Sequence, residues 1–287
     1  MTTETLDNRK KPGMIRDDID PSKWAWWAII LIGLGIAIAF AMIFIPKYNE
    51  AFIYLVQGVV ITLRVTIIAY ILATVIGLFV GLARVSKNVF IYNAATLYVE
   101  IVRGIPMIVL ILYFAYAFIP IVIEGIHGLG NLALMVLPGN GFFTGMTLYS
   151  IRSIPTELRG IMALAVGYGA FEAEVFRAGI ISIGKGQMEA AKSLGMTYLQ
   201  SMRFVILPQA VRRVLPPLGN DFIALLKDSA LLTVLAINEL TQLSRLRRAS
   251  TFQIFETFNV VAFLYLSMTL TLSAGVRWLE KRLRIEE

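Results

Sequence analysis

The sequence predicts an all-α protein that crosses a bilayer about six times, and three observations carry that expectation. First, 57% of its 287 residues are hydrophobic and 16% charged, with a mean hydropathy of +0.74, whereas soluble domains carry about a quarter charged residues. Second, apolar runs exceed twenty residues, enough at 1.5 Å per residue to cover a hydrocarbon core of about 30 Å. Third, the basic residues flank those runs, where membrane proteins place them.

Residues 1–23 are polar and charged, with Arg9, Lys10, Lys11, Arg16 and Lys23 among them, and are expected to form a cytoplasmic tail. Trp24, Trp26 and Trp27 stand at the junction with the first apolar run, where indole rings favour the headgroup region. That run, 24–45, follows a polar stretch instead of opening the chain and is longer than a signal-peptide core, so it reads as a retained N-terminal transmembrane helix. Five further segments are expected near Phe52–Ala83, Val89–Ile123, Leu158–Ile181, Val211–Ile237 and Phe255–Leu279. Six spans put both termini on one side. With the N-terminus inside, the inner segments hold sixteen basic residues and the outer segments six, which favours cytoplasmic N- and C-termini. The outer cluster Arg245–Arg248 runs against that rule. The outer segment 124–157 is rich in glycine and reads as an external loop with a short helix across Phe142–Ser150.

Several function classes drop out. The chain has no cysteine and one histidine, His127, so thiolate or imidazole-rich metal sites and a cysteine nucleophile are excluded. The charge of +7 flanks membrane runs, which argues against nucleic acid. Gly179–Gly186 imitates a phosphate-binding loop but has Gly186 where a Ser or Thr must hold magnesium, and a membrane helix stands where a strand must precede it. The chain is therefore expected to bind no nucleotide, metal or other cofactor itself.

The inner segment 182–210 is too long for a tight connection. Gln187–Leu194 is rich in helix formers and ends at Gly195, a natural C-cap. Tyr198–Leu207 is expected to form a second helix, with Pro208 starting the return to the membrane. Met188, Leu194, Met196, Tyr198, Leu199 and Phe204 give this elbow apolar groups without an obvious core. Periodicity alone allows a partner interface or a helix lying on lipid.

Glu189-Ala190-Ala191, Gly195 and Ile206-Leu207-Pro208 resemble the EAA loop of binding-protein-dependent ABC importer permeases. Arg103-Gly104-Ile105-Pro106, Ala173-Glu174-Val175-Phe176-Arg177, Gly186-Gln187, Pro208-Gln209-Ala210 and Leu226-Lys227-Asp228-Ser229 resemble the polar amino-acid uptake group within them. The resemblance covers roughly residues 53–282. It implies a five-helix type I permease core preceded by one extra helix, in a multi-pass protein of the bacterial inner membrane. It also implies two separate ATPase subunits that bind ATP and magnesium, a second copy of this permease or a homologous one, and an external binding protein that delivers an amino acid. Gln187, Glu189, Ala190, Ala191 and Gly195 would form the contact with the ATPase. An ion-coupled transporter or channel is the alternative, and it has no need of the elbow.

Charges inside spans cost about 2.5–3.5 kcal/mol each on insertion scales and are functional suspects. Glu100 and Arg103 are spaced to pair on one helix, as are Glu174 and Arg177. Glu172, where the family is usually uncharged, is a solvated acid, a partner for a basic residue, or a counter-charge for cationic cargo. Lys227 and Asp228 are adjacent and diverge; Pro216 and Pro217 before them suggest a kinked or broken helix. Gly77 and Gly81 have small-xxx-small spacing, the mark of close helix packing.

Overall fold

The computed structural model describes residues 26–148 and 150–283; the expected tail 1–23, Trp24 and Arg284 lie outside the described residues. Among the described residues the chain forms twelve α-helices joined by short 3-10 and π turns, with no strand.

Helix α1 (Trp26–Phe44) meets α2 (Pro46–Ala83) at Ile45. Pro46 stands at the first position of α2, where its missing N–H interrupts no helical bond. With 38 residues, α2 starts before the expected Phe52 and reaches about 57 Å at 1.5 Å per residue. Helix α3 (Val89–Gly104) is N-capped by Asn88, whose Oδ1 accepts from the N–H groups of Phe90 and Ile91 at 2.9 and 3.3 Å.

The segment expected as one span, Val89–Ile123, is broken into two helical stretches at Ile105–Pro106. Pro106 excludes its predecessor from the helical region, and Ile105 is accordingly extended (φ −101°, ψ 132°). Past this break, α4 (Met107–Tyr113) runs through a π turn at Phe114–Phe118 into α5 (Ile119–Val136). Part of the expected external loop 124–157 is therefore helix. The short helix expected there is α6 (Gly141–Leu148), which folds back so that Gly130 of α5 lies against Met146 and Thr147.

The rest of the chain is α7 (Thr156–Ile181), α8 (Lys185–Ser193), α9 (Tyr198–Ser201), a π turn at Met202–Ile206, α10 (Leu207–Asp228), a 3-10 turn at Ser229–Leu235, α11 (Leu240–Thr251) and α12 (Ile254–Leu283). Tyr198–Asp228 is thus continuously helical, and Pro208 sits in the first turn of α10 without starting a new direction. The helix also passes through Pro216 and Pro217 unbroken; the change to 3-10 geometry falls at Ser229.

Among the described residues, four helical stretches are long and apolar enough to cross a membrane on composition: 26–44, 46–83, 107–136 and 254–283. Helices α7 and α10 have 26 and 22 residues but carry more charge. Helix α7 is packed inside the bundle, where polar groups escape lipid, whereas α10 buries five residues on one face. Twelve residues of α7 are buried. Its main partner is α2, which runs parallel to it: Arg64 meets Glu157, Gly77 meets Glu172, and Gly81 meets Phe176. A Cβ on Gly77 or Gly81 would lie 2.7 Å from the Cβ of Glu172 or Phe176, so the small-xxx-small pair is what allows this approach. Val65, Ala69, Ile111, Leu164, Tyr168, Leu225 and Leu232 fill the core around the pair.

At the end of the bundle opposite α8, α11 is pinned from within. Glu239 is fully buried, and its carboxylate accepts from the N–H groups of Thr241 and Gln242, both at 2.7 Å. Burial pushes this carboxyl up to about 7, against the pull of those donors and of the Tyr265 hydroxyl. The Leu240 N–H donates to Thr62 at 3.1 Å, and Gly58 lies against the Leu240 backbone. The cluster Arg245–Arg248 is partly structural: Arg247 is buried, 3.6 Å from Glu50, and donates to Gln253 at 2.9 Å.

Candidate functional site in an exposed elbow and an acidic cleft

The elbow is built by its own backbone rules. Gly195 has φ +78°, a conformation glycine adopts without a Cβ clash. Around it the Met196 N–H reaches the Ala191 carbonyl (3.1 Å) and the Gly195 N–H reaches Lys192 (2.9 Å), the two bonds of a Schellman stop. Thr197 and Gln200 then form a reciprocal capping box that starts α9. A small core of Ile183, Ile206 and Ala210, with Met188 packed against it, fastens α8 to the start of α10.

This arrangement divides the residues expected at the partner contact. Glu189, Ala190 and Gly195 are exposed, and so is Gln187, 3.4 Å from Gln209. Ala191 is 3% exposed and faces the elbow itself; its small side chain brings α8 close to the bundle. Met188, expected to lack a core, has one. Leu194, Tyr198, Leu199 and Phe204 remain exposed, Leu194 at 83%.

At the same end of the bundle, Glu174 accepts from both Arg177, as its spacing predicts, and Arg84, the C-cap of α2. The Arg84 side chain is 10% exposed, so this carboxylate is its main compensation. The expected pairing of Glu100 with Arg103 does not occur among the described residues. Glu100 turns to Arg84 at 4.0 Å, and the Arg103 guanidinium lies 5.4 Å from the ring centroid of Phe171. Tertiary neighbours at the end of α2 and on α7 displace the local i,i+3 contact.

A second site lies between α7, α10 and the α3–α4 break. Ile105, Met107, Tyr168, Phe171, Asp221, Ala224 and Asp228 line a cleft of about 250 Å³. The Tyr168 hydroxyl donates to Asp228 at 2.8 Å. Asp221 Oδ2 is buried without a hydrogen-bond partner among the described residues. Behind the lining, Glu172 is fully buried, and both of its oxygens likewise lack partners. Of its three expected roles, exposure to solvent is contradicted by this burial, and pairing with a basic residue is not found among the described residues. Lys227, one residue from Asp228, is exposed and turned away from that cleft lining.

Sequence reasoning missed Asp221, Tyr168 and Arg84. Asp221 and Asp228 are seven apart, two helical turns, and so share a face of α10. That spacing was the available signal.

Residues 73–285 match the family described as binding-protein-dependent transport system inner membrane component. The chain is 38% identical over 222 residues to a probable glutamine ABC transporter permease protein GlnM of Bacillus subtilis, covering 77% of this chain and 89% of that one. It is 32% identical over 231 residues to the glutamine transport system permease protein GlnP of Escherichia coli K12, covering 80% and 93%. A crystal structure of an amino acid ABC transporter with histidines superposes with a TM-score of 0.64 at 35% identity, over 82% of this chain and 95% of that one. An inward-facing MetNI methionine ABC transporter shares the fold, with a TM-score of 0.60 at 22% identity over 81% and 97%. The chain belongs to the inner membrane component family of binding-protein-dependent transport systems, as an ABC importer permease.

Proposed function

We propose that the chain forms half of the translocation pathway for an amino acid with a polar or charged side chain. Two separate ATPase subunits, carrying ATP and magnesium, would drive it through the α8–α9 elbow. A second permease copy or a homologous one would complete the pathway, and an external binding protein would deliver the substrate. The elbow carries this reading: Leu194, Tyr198, Leu199 and Phe204 form an exposed apolar surface beyond the bundle, the mark of a partner site. Arg84, Lys87, Lys192, Arg203, Arg212, Arg213, Arg277, Lys281 and Arg282 gather toward the same end, which supports a cytoplasmic elbow and cytoplasmic termini in the bacterial inner membrane.

The cleft supports the substrate class. Asp221 and Asp228 offer acceptors to an α-ammonium group, and Arg103 at Phe171 offers a cation to the carboxylate. Glu172 behind them adds a third acid, which favours a cationic or hydrogen-bond-donating side chain. ATP binding would close the ATPases, draw the elbows together and turn the cleft outward; hydrolysis would reset it. Because α9 and α10 are one continuous helix, a push on the elbow reaches Asp221 and Asp228 directly.

Gly195→Asp tests the elbow. It forces a side chain into the left-handed region, costing about 1 kcal/mol, and adds an anion to the docking face. Inserted protein that no longer co-purifies with the ATPase, or no longer stimulates it, is the expected result. Normal amino-acid uptake by this variant, or uptake into vesicles without nucleotide, would overturn the reading.

A further inference from the structure

A third cleft belongs to neither the elbow nor the acidic site. It lies between α10 and α12 toward the elbow end, encloses about 450 Å³, and is lined by Arg212, Pro216, Arg277, Glu280, Lys281 and Leu283. The two helices touch where Gly219 meets Val276, close enough that a Cβ on Gly219 would lie 2.8 Å from a valine methyl. Arg277 follows that contact directly. Pro216 and Arg212 lie one and two turns before Gly219 on α10, so both helices carry their cations to the same side of the contact.

Among the described residues the lining is mainly cationic. Arg277 and Lys281 are four apart and share a face of α12; Arg212 faces them from α10. Among the described residues, none of the three forms an ion pair or a side-chain hydrogen bond. Among the described residues Glu280 is the one acid in this lining, against three cations. Such a set, left open among the described residues, suits a phosphate-bearing anion.

Depth decides the source of that phosphate. Residues 257–276 of α12 carry no charge, and twenty residues at 1.5 Å rise cover about 30 Å, the thickness of a hydrocarbon core. Arg277 therefore stands where headgroups begin. Trp278 is 59% exposed with Arg282 stacked 4.9 Å from its ring centroid, the placement of an interfacial anchor. Pro216 and Leu283 supply apolar walls beside the cations. We propose that this cleft binds the phosphodiester headgroup of an anionic phospholipid, holding α10 against α12. Since α10 continues from the elbow, the bound lipid bears on the lever that the ATPase moves.

The test uses the whole transporter purified with its ATPase subunits, in nanodiscs of phosphatidylcholine with a minor fraction of phosphatidylglycerol. Native mass spectrometry counts the phosphatidylglycerol retained, beside Arg212→Gln/Lys281→Gln and a control, Arg245→Gln/Arg248→Gln, at the opposite end. Loss of two cations at the headgroup surface should weaken retention about tenfold to thirtyfold, with the control unchanged and the complex intact. Glycerol phosphate at millimolar concentration should not displace the lipid. Equal retention in both double variants would overturn the proposal. So would displacement by free glycerol phosphate, which would make the site one for soluble phosphates. If the first variant sheds the ATPase while retaining its lipid, the surface belongs to the ATPase and the proposal is wrong.

Discussion

Helices α1 and α7 are opposites. Every residue of α1 is apolar or glycine, yet Met42 is its one buried residue. Helix α7 carries Glu157, Arg159, Glu172, Glu174 and Arg177, yet twelve of its residues are buried. In water the apolar helix would be the core and the charged one the surface. In lipid the order reverses, because hydrocarbon accepts apolar side chains at no cost and penalises charges. Polarity in a span therefore reports shelter and function, and uniform apolarity reports contact with lipid.

The sharpest way to break this contrast is to enlarge glycines in the two regions. Gly77→Leu drives a side chain into Glu172 and the Ala173 backbone, whose nearest atoms lie 2.7 and 3.1 Å from the Cβ position; it should cost about 3 kcal/mol or more. Gly33→Leu and Gly35→Leu on α1 meet nothing within 4 Å and should stay within about 0.5 kcal/mol of the parent. Thermal unfolding in detergent, followed by size-exclusion profile, measures both, and equal losses would refute the packing assignment.

A smaller effect is expected from the charges. Glu174→Gln strips the largely buried Arg84 of its closest compensation, though Glu174 itself is 28% exposed, and should destabilise by about 1.5 kcal/mol, as losing a charge-assisted hydrogen bond does. Glu157→Gln removes the more exposed pair with Arg64, whose side chains are 55% and 32% exposed, and should cost under about 1 kcal/mol. The same unfolding assay ranks them. Last, Asp221→Asn should leave stability and ATPase assembly intact while raising the KM for uptake about tenfold, the loss of one charge-assisted hydrogen bond. An unchanged KM would remove Asp221 from the pathway.

The spans and the elbow were readable in the sequence because lipid demands long apolar helices, and because Gly195 and the run before it follow local rules. The break at Gly104–Pro106 was not, since apolar residues continue through it and hydropathy cannot register a backbone turn. The acidic cleft was half readable: Asp228 and Glu172 stood out as intramembrane charges, but their meeting with Asp221 and Tyr168 depends on how α7 lies against α10, which no local pattern encodes. The pairing of Glu100 with Arg103 fails for the same reason, with Arg84 and Phe171 arriving from distant segments to claim each partner. The Arg245–Arg248 cluster, against the charge rule by count, proves partly internal once Arg247 is buried against Glu50 and Gln253.

The claim that a separate ATPase grips the α8–α9 elbow has a direct test, because the chain contains no cysteine and a single introduced thiol labels uniquely. Leu194→Cys, at an exposed elbow position, and Leu148→Cys, at the opposite end, are each coupled to a photoreactive benzophenone and irradiated in the assembled transporter. A covalent adduct with the ATPase subunit is expected from position 194 and none from position 148. An adduct from 148, or none from 194 in an intact and active complex, would contradict the claim.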